Sequence, residues 1–162
     1  MHRGEIWPER LGPDVALCHG SPRSDIEYLL ETPVGEVALF ATADEIEERL
    51  DGRIPSHINL LCCGHTHVPR SIRIASGLLI VNPGSVGLPA YDDDHATPKS
   101  SYHRIETGSP DARYAVVEQQ NGRWTCDLIS VPYDHEAMAS VADQHGRPDW
   151  AHALRTGFMP RV

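Results

Sequence analysis

The residues best suited to chemistry are two histidines in the stretch Gly64-His65-Thr66-His67. They follow the apolar run 58–63, which predicts a buried strand, and a proline soon after them ends regular structure. In an extended backbone the side chains at i and i+2 leave on the same side, so both imidazoles should face one pocket. Neutral imidazole is a common ligand of zinc, manganese, iron and nickel ions. The spacing predicts a metal-binding loop, with a plain solvated loop as the alternative.

Two other predicted strands also end in residues of chemical or conformational interest. The strand 15–18 leads into His19-Gly20, and the strand 78–81 leads into residues 82–86, which read Asn-Pro-Gly-Ser-Val. Binding sites of open α/β sheets are assembled where strands end at one edge. We therefore expect these two loops to lie beside the histidine loop, although a histidine at the mouth of a strand can also simply cap the core.

The elements that must position these loops are predicted from cap and turn signals. They are a helical turn over 25–30 with Ile26, Leu29 and Leu30 on one side, a helix from Thr42 to Gly52, hairpins at Ser76-Gly77 and Asn121-Gly122, and helices that begin near Asp134 and Pro148. Residues 1–14 predict an irregular lead-in. Residues 89–111 lack periodicity and predict a long loop in which three consecutive aspartates, 92–94, are solvated.

Composition limits the class of protein. The 162 residues include 40% hydrophobic residues, which suits one globular domain over 1–162. The 14 Lys and Arg against 23 Asp and Glu give a formal charge of −9, which disfavours a nucleic acid polymer as partner. No apolar run approaches the ~20 residues of a membrane span, and no secretory signal is visible. The four cysteines form no C-x-x-C motif, so reduced thiols and a cytoplasmic location are expected.

The stretch Gly64-His65-Thr66-His67, together with the Asn-Pro-Gly-Ser-Val loop at 82–86, resembles the calcineurin-like metallophosphoesterases, in particular a small bacterial and archaeal branch. The likeness runs from about residue 15 to the end. It implies an α/β fold, namely the C-terminal part of a four-layer α/β/β/α sandwich with mixed sheets. It also implies hydrolysis of a small phosphate ester by a hydroxide held between two divalent ions, which would be manganese, nickel, iron or zinc.

The resemblance assigns roles to individual residues. His19 and His65 correspond to ligands of the second metal, and His67 corresponds to a ligand of the first. The residues that would shape the site without direct chemistry are Gly64, Asn82, Gly84 and Ser85.

Other motifs of that family are missing. The Asp-x-His, Gly-Asp and Gly-Asn-His motifs that should precede residue 15 do not occur there, so the general-acid histidine is absent and no catalytic residue is assigned. Asp93 and His95 have the Asp-x-His spacing but come too late in the chain order. Three histidines alone should hold at most one ion, weakly.

These gaps predict that the chain is the C-terminal part of such a domain, lacking its N-terminal half. We expect it to be poorly soluble, because strand edges would be exposed, and inactive on phosphate esters by itself. Two alternatives remain open at this stage. The chain could be a non-catalytic binding or scaffold module, or it could be the C-terminal chain of a split enzyme that needs an N-terminal partner chain.

Overall fold

The computed structural model describes residues 9–94 and 102–161. The strands, in chain order, are β1 Glu9–Arg10, β2 Val15–Leu17, β3 Glu31–Val34, β4 Val37–Phe40, β5 Leu60–Cys62, β6 Arg70–Arg73, β7 Leu79–Asn82, β8 Ala90–Asp93, β9 His103–Glu106, β10 Ala112–Gln120 and β11 Arg123–Val131. The helices of this part of the chain are α1 Ala43–Leu50, α2 His135–Gln144 and α3 Pro148–Thr156. The predicted α/β class, with mixed sheets, is confirmed.

A five-stranded sheet in the order β1-β2-β5-β7-β6 forms the centre of the fold. Its three inner strands β2, β5 and β7 are parallel, and the two outer strands pair with them antiparallel. One face packs on α1, where Leu61 and Ile80 contact a cluster that includes Ile46. On the other face Leu60 and Val81 pack under the β10–β11 hairpin. Burial on both faces explains why the inner strands are apolar without alternation.

A second sheet lies beside the first and has the order β3-β4-β9-β8. Helix α3 contacts its outer strand β8, where Ala90 joins Ala153 and Met159 in a small buried cluster. Helices α2 and α3 pack on each other through small side chains and are joined by an ion pair between Arg155 and Glu136 at 2.8 Å. Arg70 of the edge strand β6 lies over the ring of Phe40 in β4, so the second sheet contacts that edge of the central sheet.

The predicted long loop over 89–111 is wrong for much of its length, because β8 and β9 lie within it. These two strands pair antiparallel, and His103 and Ile105 of β9 point inward while their neighbours are partly exposed. The sequence pattern hid this strand because one of its two inward positions is a histidine. Asp92 and Asp93 belong to β8 and are not loop residues. Asp94 follows the strand, and residues 95–101 lie outside the described part.

Two smaller predictions near the start of the chain are also wrong. Glu9 and Arg10 of the expected lead-in form β1, whereas residues 1–8 lie outside the described part. Residues 25–30 form turns and bends in place of a helical turn, and Ile26 is exposed. The carbonyl oxygens of Ser24, Asp25 and Glu27 turn toward Gly20 instead of along a helix axis, since an added Cβ at Gly20 would lie 2.6–2.7 Å from all three.

The cap and hairpin predictions are confirmed. Thr42 and Glu45 form a reciprocal capping box at α1, and the helix ends in a left-handed residue at Asp51, one position before the predicted glycine. Asp134 caps α2 through the amide of Ala137. The hairpin β10–β11 turns at Asn121-Gly122, both with positive φ, as a two-residue turn of this kind requires. None of the helices in the described ranges is long and apolar enough to cross a membrane.

We predict that Thr42→Ala lowers the free energy of unfolding by about 1 kcal/mol, because the Glu45 amide loses its acceptor at the start of α1. Urea denaturation followed by circular dichroism measures this loss. Thr42→Ser keeps the hydroxyl and serves as the matched control. Equal stability of the alanine variant and the natural chain would contradict the prediction.

Candidate functional site

The three predicted loops lie side by side at the carboxyl edge of the central sheet. Strands β2, β5 and β7 are adjacent and parallel, so the loops that follow them emerge at the same edge. The Gly64 amide donates to the carbonyl of His19 at 2.8 Å, and the Cys63 amide donates to the carbonyl of Val81 at 2.8 Å. The expected gathering of these loops is therefore confirmed.

The backbone of the histidine loop differs from the extended form that the spacing predicted. His65 and His67 both have positive φ, 65° and 60°, so the i and i+2 alternation of a strand does not apply. The amide of Thr66 donates back to the carbonyl of Gly64 at 2.8 Å, which closes a tight turn. Left-handed backbone costs roughly 1–3 kcal/mol at a residue other than glycine and persists only where surrounding contacts hold it.

Two of the imidazoles, those of His19 and His65, nevertheless come close together. The rings of His19 and His65 pack edge to face with their centroids 5.1 Å apart. His67 is turned by a hydrogen bond of 2.9 Å between Nδ1 and the carbonyl oxygen of Leu88. Because a carbonyl can only accept, Nδ1 carries the proton and Nε2 has the free lone pair that a metal ligand needs.

Burial sets the protonation of these rings. Removal from water, followed by the nearby imidazole of His19, lowers the pKa of His65. Removal from water also lowers the pKa of His67, against the opposing hydrogen bond to Leu88. Lower pKa values favour the neutral rings, which are the forms that bind metal ions.

One amide side chain holds the two motif loops together. Asn82 Nδ2 donates to the carbonyl of Gly64 at 2.9 Å and to the hydroxyl of Thr66 at 2.9 Å, while its Oδ1 accepts from the amide of Gly84 at 3.0 Å. Asn82 and Thr66 are each about 1% exposed, so water cannot replace these partners. In the same loop the hydroxyl of Ser85 accepts from the amide of Leu88, the residue that binds His67.

Sequence patterns did not single out a group of polar residues from the second sheet and the loop after β2. Tyr28 and Tyr91 pack edge to face on His65 and His67, respectively, with centroids 5.1 and 5.2 Å apart. Tyr28 is hydrogen-bonded to Asp93 and to His103. Tyrosine is not among the residue types that a search for metal ligands or nucleophiles picks out. Tyr91 and Asp93 lie two positions apart on β8, so their side chains leave the strand on the same side, and this is the signal that could have placed both near the site.

Glu31 is a second residue that the sequence did not mark. Its carboxylate is buried, and the nearby Thr66 hydroxyl does not reach either oxygen with ordinary hydrogen-bond geometry. Burial raises the pKa of Glu31 to about 6, while the Thr66 hydroxyl and the guanidiniums of Arg70 and Arg49 partly oppose the rise. Because the Thr66 hydroxyl acts on it, the carboxyl of Glu31 lies near the histidine loop.

The donor chemistry fits a borderline divalent ion, because neutral imidazoles suit manganese, iron, nickel and zinc. The ligand count is incomplete. Across residues 9–94 and 102–161, no three side chains of His, Cys, Asp or Glu form a group that could hold an ion. His19, His65 and His67 are thus neighbours at one sheet edge, but by themselves they are not a closed metal site.

A model of the calcineurin-like phosphoesterase superfamily domain matches residues 5–108, well over half of the chain. The match contains all three histidines and the loop 82–86, whereas the hairpin β10–β11 and helices α2 and α3 lie beyond it. No curated protein matches the sequence.

Solved structures give a similar fold. A metallophosphoesterase from Sphaerobacter thermophilus superposes with a TM-score of 0.59 at 23% identity, over 90% of this chain and 56% of its own. A hypothetical protein from Pyrococcus horikoshii OT3 superposes with a TM-score of 0.58 at 16% identity, over 91% of this chain and 48% of its own. The chain therefore spans about half the length of these two proteins, and at such identities the likeness concerns the fold alone.

We predict that Gly84→Ala lowers the free energy of unfolding by about 3 kcal/mol. Gly84 has a φ of 88°, and an added Cβ would lie 2.7 Å from Cβ of Arg113 and 3.3 Å from Cβ of Pro69. Chemical denaturation measures the effect. The matched control is Gly87→Ala in the same loop, where an added Cβ would have no neighbouring atom within 4 Å. Its free energy of unfolding should stay within about 0.5 kcal/mol of that of the natural chain. Equal losses at the two glycines would contradict the prediction.

We also predict that the buried Glu31 makes the chain less stable at neutral than at acid pH. Its folded pKa of about 6 exceeds the ordinary value of 4.5, so the folded state binds the proton more tightly. This stabilisation is complete below about pH 4.5 and is lost as the pH rises through 6, a loss of about 2 kcal/mol at 1.36 kcal/mol per pKa unit.

Urea unfolding at pH 4 and pH 7 tests this, with the Glu31→Gln variant as reference. Between pH 4 and pH 7 the free energy of unfolding of the natural chain should fall by about 2 kcal/mol more than that of Glu31→Gln. The exposed Glu118→Gln serves as control and should behave as the natural chain. Parallel pH profiles for the natural chain and Glu31→Gln would refute the prediction.

Proposed function

The chain belongs to the calcineurin-like phosphoesterase superfamily, and we propose that it provides the histidine ligands for metal-dependent hydrolysis of a small phosphate ester. The observation that carries this proposal is the meeting of His19, His65 and His67 at the carboxyl edge of three adjacent parallel strands. That edge is where α/β proteins bind their ligands.

Each histidine has a distinct part in the proposal. His67 presents Nε2 because Leu88 fixes the proton on Nδ1. His67 would bind one ion. His65 and His19, whose rings pack edge to face, would provide imidazoles to a second ion. Divalent ions, when bound, polarise the phosphoryl oxygens and offset their negative charge. The choice among manganese, nickel, iron and zinc follows from imidazole ligands, which do not favour calcium.

Further ligands are needed for two ions. We propose that carboxylates from outside the described residues, in a preceding segment or an N-terminal partner chain, complete the site. Among the described residues no three His, Cys, Asp or Glu side chains form a group that could hold an ion, which supports the need for further ligands. The substrate is proposed to be a small phosphate ester, because the formal charge of −9 disfavours a polyanionic polymer.

We predict that the 162-residue chain binds about one Mn²⁺ ion weakly and that His65→Ala and His67→Ala each weaken binding about tenfold or more. Loss of one neutral imidazole removes a ligand that no other described side chain replaces. Isothermal titration calorimetry with Mn²⁺ measures the affinity. His152→Ala, an exposed histidine on α3, is the matched control and should leave binding unchanged.

Hydrolysis of bis(p-nitrophenyl) phosphate with Mn²⁺ tests the second half of the proposal. The chain alone should stay near the rate of Mn²⁺ in buffer. Robust, His67-dependent turnover would overturn the requirement for outside ligands while keeping the metal role. Mn²⁺ affinity that is indifferent to both histidine variants would overturn the metal role, and the alternative of a non-catalytic binding module would then be preferred.

A further inference from the structure

Two tyrosines enclose the histidine pair from the side of the second sheet. The Tyr28 ring packs edge to face on His65, and the Tyr91 ring packs in the same way on His67, at centroid distances of 5.1 and 5.2 Å. Tyr28 is buried in the loop after β2, and Tyr91 lies on β8. His65 and His67, two of the three imidazoles that are proposed to bind ions, therefore each have a tyrosine ring against them.

The hydroxyl groups of these tyrosines are anchored. Tyr28 donates to Asp93 Oδ2 at 2.6 Å, and because its single proton is used there, it accepts from His103 Nε2 at 2.9 Å. Tyr91 donates to the backbone carbonyl of His65 at 3.1 Å. The two hydroxyl oxygens lie 3.4 Å apart, so they are in contact, although each proton is donated elsewhere.

These tyrosines and their partners join residues of the second sheet to the loop that follows β5 of the central sheet. Asp93 and His103 sit opposite each other on β8 and β9 of the second sheet, whereas His65 and His67 follow β5 of the central sheet. His103 is about 1% exposed and packs its ring on Tyr28 with centroids 5.3 Å apart. The second sheet thus holds Tyr28 by two hydrogen bonds and brings Tyr91 to the histidine loop on β8 itself.

We propose that Tyr28 and Tyr91 are positioning residues that fix the ring orientations of His65 and His67 through their anchored hydroxyls. The inference rests on the proposed metal role of the two histidines. The left-handed backbone at both histidines leaves the loop dependent on outside contacts, and the tyrosines provide them on the ring side. In metal sites generally, residues that hold ligating histidines in place contribute to ion affinity, most often by a hydrogen bond to the second ring nitrogen; here the tyrosines would do so by ring packing.

Packing alone does not account for the arrangement. Phenylalanine would fill the same space as either tyrosine, yet both hydroxyls are buried in hydrogen bonds whose partners come from distant segments. A buried hydroxyl is favourable only when such partners are present. The hydroxyls are therefore the part of each side chain to remove in a test, while the ring stays.

The test uses the full chain with Tyr28→Phe, Tyr91→Phe and the double variant. Two-dimensional ¹H–¹³C spectra of the histidine rings report orientation directly and need no metal. We expect the ring signals of His65 to shift and broaden in Tyr28→Phe. In Tyr91→Phe we expect those of His67 to do so, with a change at His65 as well because its carbonyl loses the Tyr91 hydroxyl. Both should change in the double variant. Tyr114→Phe, on the exposed face of the β10–β11 hairpin, is the matched control and should leave these signals in place.

Co²⁺ titration followed by visible absorption gives the second readout. Loss of either hydroxyl should weaken Co²⁺ binding about tenfold, as removal of an orienting partner does, and alter the absorption bands. Because the two hydroxyls are in contact and their rings support neighbouring histidines, the double variant should lose less than the product of the single losses. Circular dichroism confirms folding, and Asp93→Asn, which keeps the shape of the anchor, serves as a milder variant if Tyr28→Phe unfolds.

The outcomes separate this inference from the proposed function. Unchanged histidine ring signals in folded Tyr28→Phe and Tyr91→Phe would overturn the positioning role even if the chain binds Co²⁺. Failure of the natural chain to bind Co²⁺, together with the predicted ring changes, would overturn the metal role and keep the positioning role. Ring changes with a tenfold loss of Co²⁺ affinity support both.

Discussion

The site depends on the buried side chain of Asn82. Its amide nitrogen donates to Gly64 and Thr66, and its oxygen accepts from Gly84, so one residue ties together the loops that follow β5 and β7. Without these hydrogen bonds the buried hydroxyl of Thr66 would lose its donor, which is unfavourable by about 1–3 kcal/mol, and the carbonyl of Gly64 would keep only the amide of Thr66. The histidine loop and the loop 82–86 are separate in sequence but form one structural unit. This explains why the two motifs together indicate the family better than either does alone.

This unit stabilises backbone that would otherwise be unfavourable. His65 and His67 adopt positive φ without being glycine, and the turn between them is closed by Thr66. The contacts that maintain this conformation come from three directions: Asn82 from β7, Leu88 from the loop after it, and the two tyrosines from the side of the second sheet. Local strain held by surrounding structure is typical of functional sites.

The sequence predicted the parts of the molecule that local rules govern. The capping box at Thr42, the turn at Asn121-Gly122 and the meeting of three loops at one sheet edge each follow from a short pattern. The strand β9 was missed because a buried histidine replaces an apolar residue in its alternation, and no local rule indicates that His103 is buried. The conformation of the histidine loop was missed because positive φ there is imposed by tertiary contacts rather than by residue type.

The parallel pairing of β2, β5 and β7 has a consequence for how the chain acquires its site. Residues of the site come from positions 19 to 103, and parallel strands pair only after long segments of chain have been closed into loops, which makes such pairing slow. The contacts that hold His65 and His67 in place, from Asn82 and Tyr91, exist only once β7 and β8 have docked. The arrangement of His65 and His67 is therefore absent during the early steps of folding. If His65 and His67 bind an ion as proposed, its capture follows the assembly of both sheets, and its binding energy adds to the stability of the assembled fold.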